Sequence, residues 1–289
     1  MTTTADWVAG ARPRTLWTGA VPVIVGSACA IAEDAFALLP ALLALGVALA
    51  LQVGSNYAND YSDGIRGTDV DRIGPERLVA SGKALPRSVK LAAYASFAVG
   101  AVLGLALVIV SGLWWLLAVG AVAIVAAWTY TGSSRPYGYA GYGEISVFIF
   151  FGPVAVLGTL LTQLGSVTLY SVWASAGVGL YAVALLLVNN IRDLETDALA
   201  GKRTLAVKVG ELRARQYFAA AVTLPIGFAI LVAFAHPWAL VATLVALPSV
   251  VIAFGMRMGA AGRNFGVMFQ GISGVGLAYG LLLATGIAL

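Results

Sequence analysis

The sequence predicts an all-α membrane protein with nine transmembrane helices, and three observations carry that expectation. Hydrophobic residues make up 60% of the 289 residues and charged residues only 10%, far from the composition of soluble domains, which are roughly half apolar and a quarter charged. Nine apolar runs punctuate the chain, each near the ~20 residues needed to cross a hydrocarbon core ~30 Å thick. When those runs are threaded across a bilayer, all 17 Lys and Arg residues fall on one side.

The runs cover about 16–32, 36–58, 88–110, 113–131, 144–164, 167–190, 216–235, 237–255 and 265–287. Arg12 and Arg14 precede the first. The loops after the second, fourth, sixth and eighth runs hold every other basic residue, whereas the opposite loops hold Glu33, Asp34 and His236. By the positive-inside rule the N-terminus is cytoplasmic. A missed or invented span would scatter the basic residues over both faces. The longest polar stretch, about 59–87, is too short for a second domain of ordinary size, so residues 1–289 read as one integral-membrane domain of the plasma membrane. Its pI near 9.3 is then a topology signal, and with no nucleic-acid-binding pattern beside it, nucleic acid is not an expected partner. The first fifteen residues lack the apolar core of a secretory signal, so no processing is expected. The lone Cys29 cannot form an internal disulfide.

Two polar islands interrupt this apolar chain, NYANDYSDGIRGTDVDR (56–72) and NNIRDLETDALAGKR (189–203). Each sits at the end of a run on the cytoplasmic side, where ionisable groups at a membrane border are candidates for function. Four runs separate the islands, an even number, so they share an orientation. The chain therefore reads as two parallel pseudo-repeats, about 16–131 and 144–255, followed by the final helix 265–287. A two-fold-like bundle would bring the islands face to face at one cytoplasmic mouth.

Asn56, Asp60 and Asp63 stand at i, i+4 and i+7, and Asn189, Asp193 and Asp197 at i, i+4 and i+8. On continuous helices each set shares one face. Hard oxygen ligands in this pattern suit Mg²⁺, which takes one or two carboxylates and completes its octahedron with water and phosphate. Two facing sites would chelate a diphosphate between them, with Asp60, Asp63, Asp193 and Asp197 at the centre of the chemistry. Asn59, Asp69 and Asp71 are auxiliary positions in the first island. Arg72, Arg77, Lys83, Arg135, Lys202 and Arg203 are candidates for phosphate oxygens or the leaving group. A third cytoplasmic stretch, WTYTGSSRPYGYAGYGE (128–144), supplies Tyr130, Tyr137, Tyr139 and Tyr142, whose ring faces would stabilise a developing carbocation. An interfacial aromatic belt is the plainer account of those tyrosines.

These motifs resemble the UbiA-type intramembrane prenyltransferases, which carry two aspartate-rich motifs of this form on a nine-helix bundle. The similarity runs from ARPRT (11–15) to the final helix. It implies that Asn56, Asp60, Asp63, Asn189, Asp193 and Asp197 hold Mg²⁺ and a polyprenyl diphosphate, and that the acceptor is an aromatic acid which loses its carboxylate. Within the family, residues 59–75, 130–144 and 189–210 look most like the branch that prenylates 1,4-dihydroxy-2-naphthoate in menaquinone synthesis. Relatives that use 4-hydroxybenzoate typically place the last aspartate of the first motif four residues after Asp63, where this chain has Gly67. That acid remains the alternative acceptor. A secondary transporter, which would want polar groups or broken helices halfway across the membrane, is the alternative of a different class.

Overall fold

The computed structural model describes residues 2–67 and 77–289, and every regular element among them is helical. The first, α1 (Thr4–Ala11), lies before the first apolar run and begins with a capping box between Thr3 and Asp6. It meets α2 (Trp17–Ala32) at a 49° bend. Next come α3 (Leu38–Arg66), α4 (Pro86–Ser111) and α5 (Leu116–Thr129). The run at 144–164 is one bent rod: α6 (Gly143–Ile149), a π-helical turn at Phe150–Val154, and α7 (Ala155–Leu164). Pro153 lies inside that turn, and its missing N–H explains the widened backbone there.

The second half holds α8 (Leu169–Arg192), the short α9 (Leu194–Leu199) and α10 (Leu205–Val209), then α11 (Glu211–Ala233). A 3₁₀ segment, Pro237–Val245, runs into α12 (Ala246–Arg257), and α13 (Asn264–Ala288) closes the chain. All nine apolar runs are thus helical over most of their length. Seven are long and apolar enough to cross a membrane, and the α1–α2 bent pair is an eighth candidate. The fourth run is helical over only 14 residues, about 21 Å of rise, because its Trp114–Trp115 start is a turn.

Helix α8 is the axis of the bundle. Of its most apolar window, 72% is buried inside the protein, against 22% for α3 and for α4. It packs on α11, α13 and the α6–α7 rod, and Gly152 allows one of those approaches, since a Cβ there would lie 2.7 Å from Ser175 O. By contrast, Val102, Ile109, Val122 and Val125 point out of the bundle. Such exposure carries no penalty against lipid tails, which are as apolar as the side chains themselves. The polar ends of α3 and α8 are brought to the same end of this bundle. They enclose the cavity described next.

Candidate active site

One polar cavity of about 130 Å³ is lined by residues from all three polar stretches, including Asn59, Asp63, Tyr130, Tyr139, Asn189, Asn190, Asp193, Asp197 and Lys202. Its carboxylates come from both islands. Asp63 lies near the end of α3, Asp193 at the break between α8 and α9, and Asp197 within α9.

The first island differs from the sequence expectation in its helical phase. Helix α3 runs unbroken to Arg66, yet the residues facing the cavity are Asn59 and Asp63. Asn56 turns toward α1, its Nδ2 donating to Ala11 O at 2.8 Å. Asp60 is 1% exposed, and its two oxygens accept the backbone N–H groups of Leu78 and Val79 at 2.9 and 3.0 Å. Asn56 and Asp60, expected as ligands, thus bond backbone in this structure and do not line the cavity. In place of Asn56, it is the auxiliary Asn59 that reaches the cavity, with its Oδ1 accepting from the Thr131 hydroxyl at 2.8 Å.

The second island also departs from a continuous helix. α8 stops at Arg192, and Asp193 N donates to Asn189 O and Ile191 O at the cap. The break does not disperse the motif, because Asn189, Asp193 and Asp197 all line the cavity. Lys202 then ties the two islands together, its Nζ lying 3.5 Å from Asp63 Oδ1 and 3.5 Å from Asp197 Oδ1. Arg77 approaches the other Asp63 oxygen at 3.4 Å. Arg192, which sequence reasoning did not single out, grips both Asp193 oxygens at 2.6 Å. Burial pushes the Asp197 carboxyl up to about 6, with nearby Lys202 opposing the shift. The donor set is one of hard oxygens on a cationic frame, a chemistry suited to Mg²⁺ and phosphate, although no three acidic groups converge on one metal position among the described residues.

Of the four tyrosines, two reach the cavity. Tyr139 donates its hydroxyl to Asp63 Oδ1 and lies under Lys202 and Arg66, 4.8 and 5.4 Å from its ring centroid. Tyr130 lines the wall beside it. Tyr137 instead binds Ala126 O and Ser146, and Tyr142 is exposed, packed against Lys208. Arg66 holds this loop over the site, donating to Thr131 O and Ser133 O at 2.6 Å each.

The remaining cationic candidates divide by place. Lys83 pairs with Asp6 at 3.1 Å outside the cavity. Arg135 and Arg203 are exposed, although the Arg203 backbone N–H bonds to Tyr139 O at 2.8 Å. Asp69, Asp71 and Arg72 lie outside the described residues. Arg12, read from sequence as a topology marker alone, lines the cavity. Its φ of +56° is an uncommon left-handed conformation for a residue with a side chain.

Comparison with known proteins places these features in a family. The profile described as "UbiA prenyltransferase family" matches residues 20–264. The 1,4-dihydroxy-2-naphthoate octaprenyltransferase of Mycobacterium tuberculosis is 49% identical over 265 residues, covering 91% of this chain and 90% of the relative. Its Escherichia coli counterpart is 40% identical, over 75% of this chain and 72% of that protein. Among solved structures, a UbiA homolog from Archaeoglobus fulgidus bound to GPP and Mg²⁺ aligns at a TM-score of 0.67 and 16% identity, covering 97% of this chain and 99% of that one.

Proposed function

The chain belongs to the UbiA prenyltransferase family, and we infer that it transfers a polyprenyl group from polyprenyl diphosphate to 1,4-dihydroxy-2-naphthoate with loss of the carboxylate, a step of menaquinone synthesis. The acceptor reading rests on the M. tuberculosis and E. coli relatives, which carry that activity in their names at 49% and 40% identity. The observation that carries the chemistry is the bridge through Lys202, which brings a carboxylate of each island to one cation at 3.5 Å.

Asp63, Asp193 and Asp197, with the amide oxygens of Asn59 and Asn189, are the ligands we assign to Mg²⁺, which when bound supplies Lewis-acid stabilisation of the leaving diphosphate. Lys202 and Arg77 neutralise the same carboxylates without a ligand, and with substrate present they turn to phosphate oxygens. Ionisation breaks the C–O bond of the prenyl donor, the electron pair leaving with the diphosphate. The Tyr130 and Tyr139 rings present their negative faces to the resulting allylic cation, and the surrounding loops exclude water from it. The electron-rich naphthalene ring then forms the new C–C bond and releases carbon dioxide.

Nine spans, a cytoplasmic N-terminus and cytoplasmic site in the plasma membrane, and the parallel repeats at about 16–131 and 144–255 complete this reading. The one-sided distribution of the 17 basic residues supports it. Purified protein given Mg²⁺, a polyprenyl diphosphate and either acid tests the acceptor. The naphthoate is expected to exceed 4-hydroxybenzoate at least about tenfold in kcat/KM, a modest discrimination for one ring against two. Equal use of both acids would refute the acceptor assignment.

A further inference from the structure

Glu144 is a carboxyl group that the chemistry above does not use. It sits at the start of α6, is 6% exposed and does not line the cavity. Its Oε1 accepts a hydrogen bond from Asn190 Nδ2 at 2.8 Å, while its Oε2 is buried with no hydrogen-bond partner. No salt bridge among the described residues reaches it: Arg77, Arg192 and Lys202 pair with Asp63, Asp193 and Asp197. A buried carboxyl left half-satisfied is costly. Such a group in a native fold calls for an explanation.

Asn190 supplies one, because it does line the cavity, beside Leu186 and Tyr130. A carboxamide has a donating end and an accepting end, and Glu144 Oε1 takes the donating end. Glu144 therefore dictates which way the Asn190 amide faces. Its Nδ2 is drawn to Glu144 and its oxygen is the end left for the cavity. That oxygen repels a diphosphate, which offers no donor. It suits a reactant that carries an O–H.

We propose that Asn190, aimed by Glu144, receives a ring hydroxyl of the aromatic acceptor, with Glu144 as a positioning residue. The proposal rests on the acceptor reading above, since the naphthoate is the one reactant with hydroxyl groups to donate. The lining agrees with that occupant: Leu186, one turn away on α8, and the aromatic Tyr130 line the same cavity as Asn190. Asn189, by contrast, donates its amide back to Leu185 O at 3.0 Å, so the adjacent amides have different tasks. A site that hydrogen-bonds a substrate hydroxyl discriminates strongly against analogues lacking it.

Steady-state kinetics of the full chain test the proposal, after wild type is first shown to prenylate the naphthoate; failure there would refute the acceptor reading itself. Asn190→Ala and Glu144→Leu should each raise the acceptor KM roughly tenfold, about 1.4 kcal/mol, with the KM for the polyprenyl diphosphate unchanged. Glu144→Gln, whose amide accepts the same N–H in only one of its two orientations, should be impaired less than Glu144→Leu. An unchanged acceptor KM, a parallel rise for the diphosphate, or a Glu144→Gln as impaired as Glu144→Leu would each overturn the proposal. A measurement on wild type alone guards against variants that fail to fold. The 1,4-dimethoxy analogue should inhibit roughly tenfold more weakly than a non-reactive dihydroxy analogue, and equal inhibition would also overturn it.

Discussion

Asp60 and Asp63 are three residues apart in one motif, and replacing each by Asn should break different things. In Asp60→Asn the amide oxygen still accepts one of the two backbone N–H groups, but the amide nitrogen faces the other. One charge-assisted hydrogen bond is lost and one buried N–H is left without an acceptor, about 3 kcal/mol together. For a chain of this size that corresponds to a melting temperature lower by roughly 5–10 °C. The segment released carries Arg77, which pairs with Asp63 at 3.4 Å, so some activity is lost indirectly. Asp63→Asn removes a cavity carboxylate instead. It takes a buried partner from Arg77 and Lys202 and so also costs stability, but unlike Asp60→Asn it should require at least about tenfold more Mg²⁺ for half-maximal turnover. Thermal melting in detergent and Mg²⁺ titrations of turnover measure both. An Asp60→Asn protein that melts like wild type yet needs far more Mg²⁺ would show that Asp60 is a ligand and that its bonds to Leu78 and Val79 are incidental.

Lys202→Met should raise the KM for the prenyl diphosphate, because Asp63 and Asp197 lose the cation between them; an unchanged KM would remove Lys202 from phosphate binding. The Asp197 carboxyl, pushed up to about 6 by burial, favours its protonated form in the folded protein. Ionising it therefore costs stability progressively from about pH 4 to pH 6, and Mg²⁺ must displace its proton below about pH 6. The apparent Mg²⁺ affinity should fall up to about tenfold per pH unit there, and a flat profile would refute the shift. Leu199 and Phe234 are 89% and 85% exposed, so Leu199→Cys should react with an impermeant thiol reagent only from the cytoplasmic side and Phe234→Cys only from outside. Labelling of both from one side would refute the nine-span topology.

The bundle was largely legible because hydropathy is a local property: each apolar run reports its own helix, whatever its neighbours do. The finer features were not, and each has a physical reason. Asn56, Asn59, Asp60 and Asp63 all fall within two turns of α3, and successive residues are rotated by about 100°, so spacing defines a face without saying which face meets α8. The contacts that settle the phase, Ala11 with Asn56 and Leu78–Val79 with Asp60, are made by segments distant in sequence. Charge alone likewise could not separate Arg12, which reaches the cavity, from Lys83, which pairs with Asp6. Asn59, four residues before Asp63, shares with it the i, i+4 spacing that faces the cavity. The competing Asn56–Asp60 pair has the same spacing.

The geometry also explains why so many cations surround so few carboxylates. Without substrate, Asp63, Asp193 and Asp197 would repel one another in a partly buried space, and Arg77, Arg192 and Lys202 each sit within 3.5 Å of one of them. With Mg²⁺ on the carboxylates, as proposed above, those ion pairs would become redundant and the basic side chains would be free to face the diphosphate. The same residues would thus stabilise the empty fold and then the loaded site. Tyr139 couples the two states, because its hydroxyl bonds Asp63 while its ring lies under Lys202. Tyr139→Phe should therefore leave the fold intact while shifting the Mg²⁺ and diphosphate dependences together. A change in one alone would mean that the carboxylate and the ammonium respond to substrate separately.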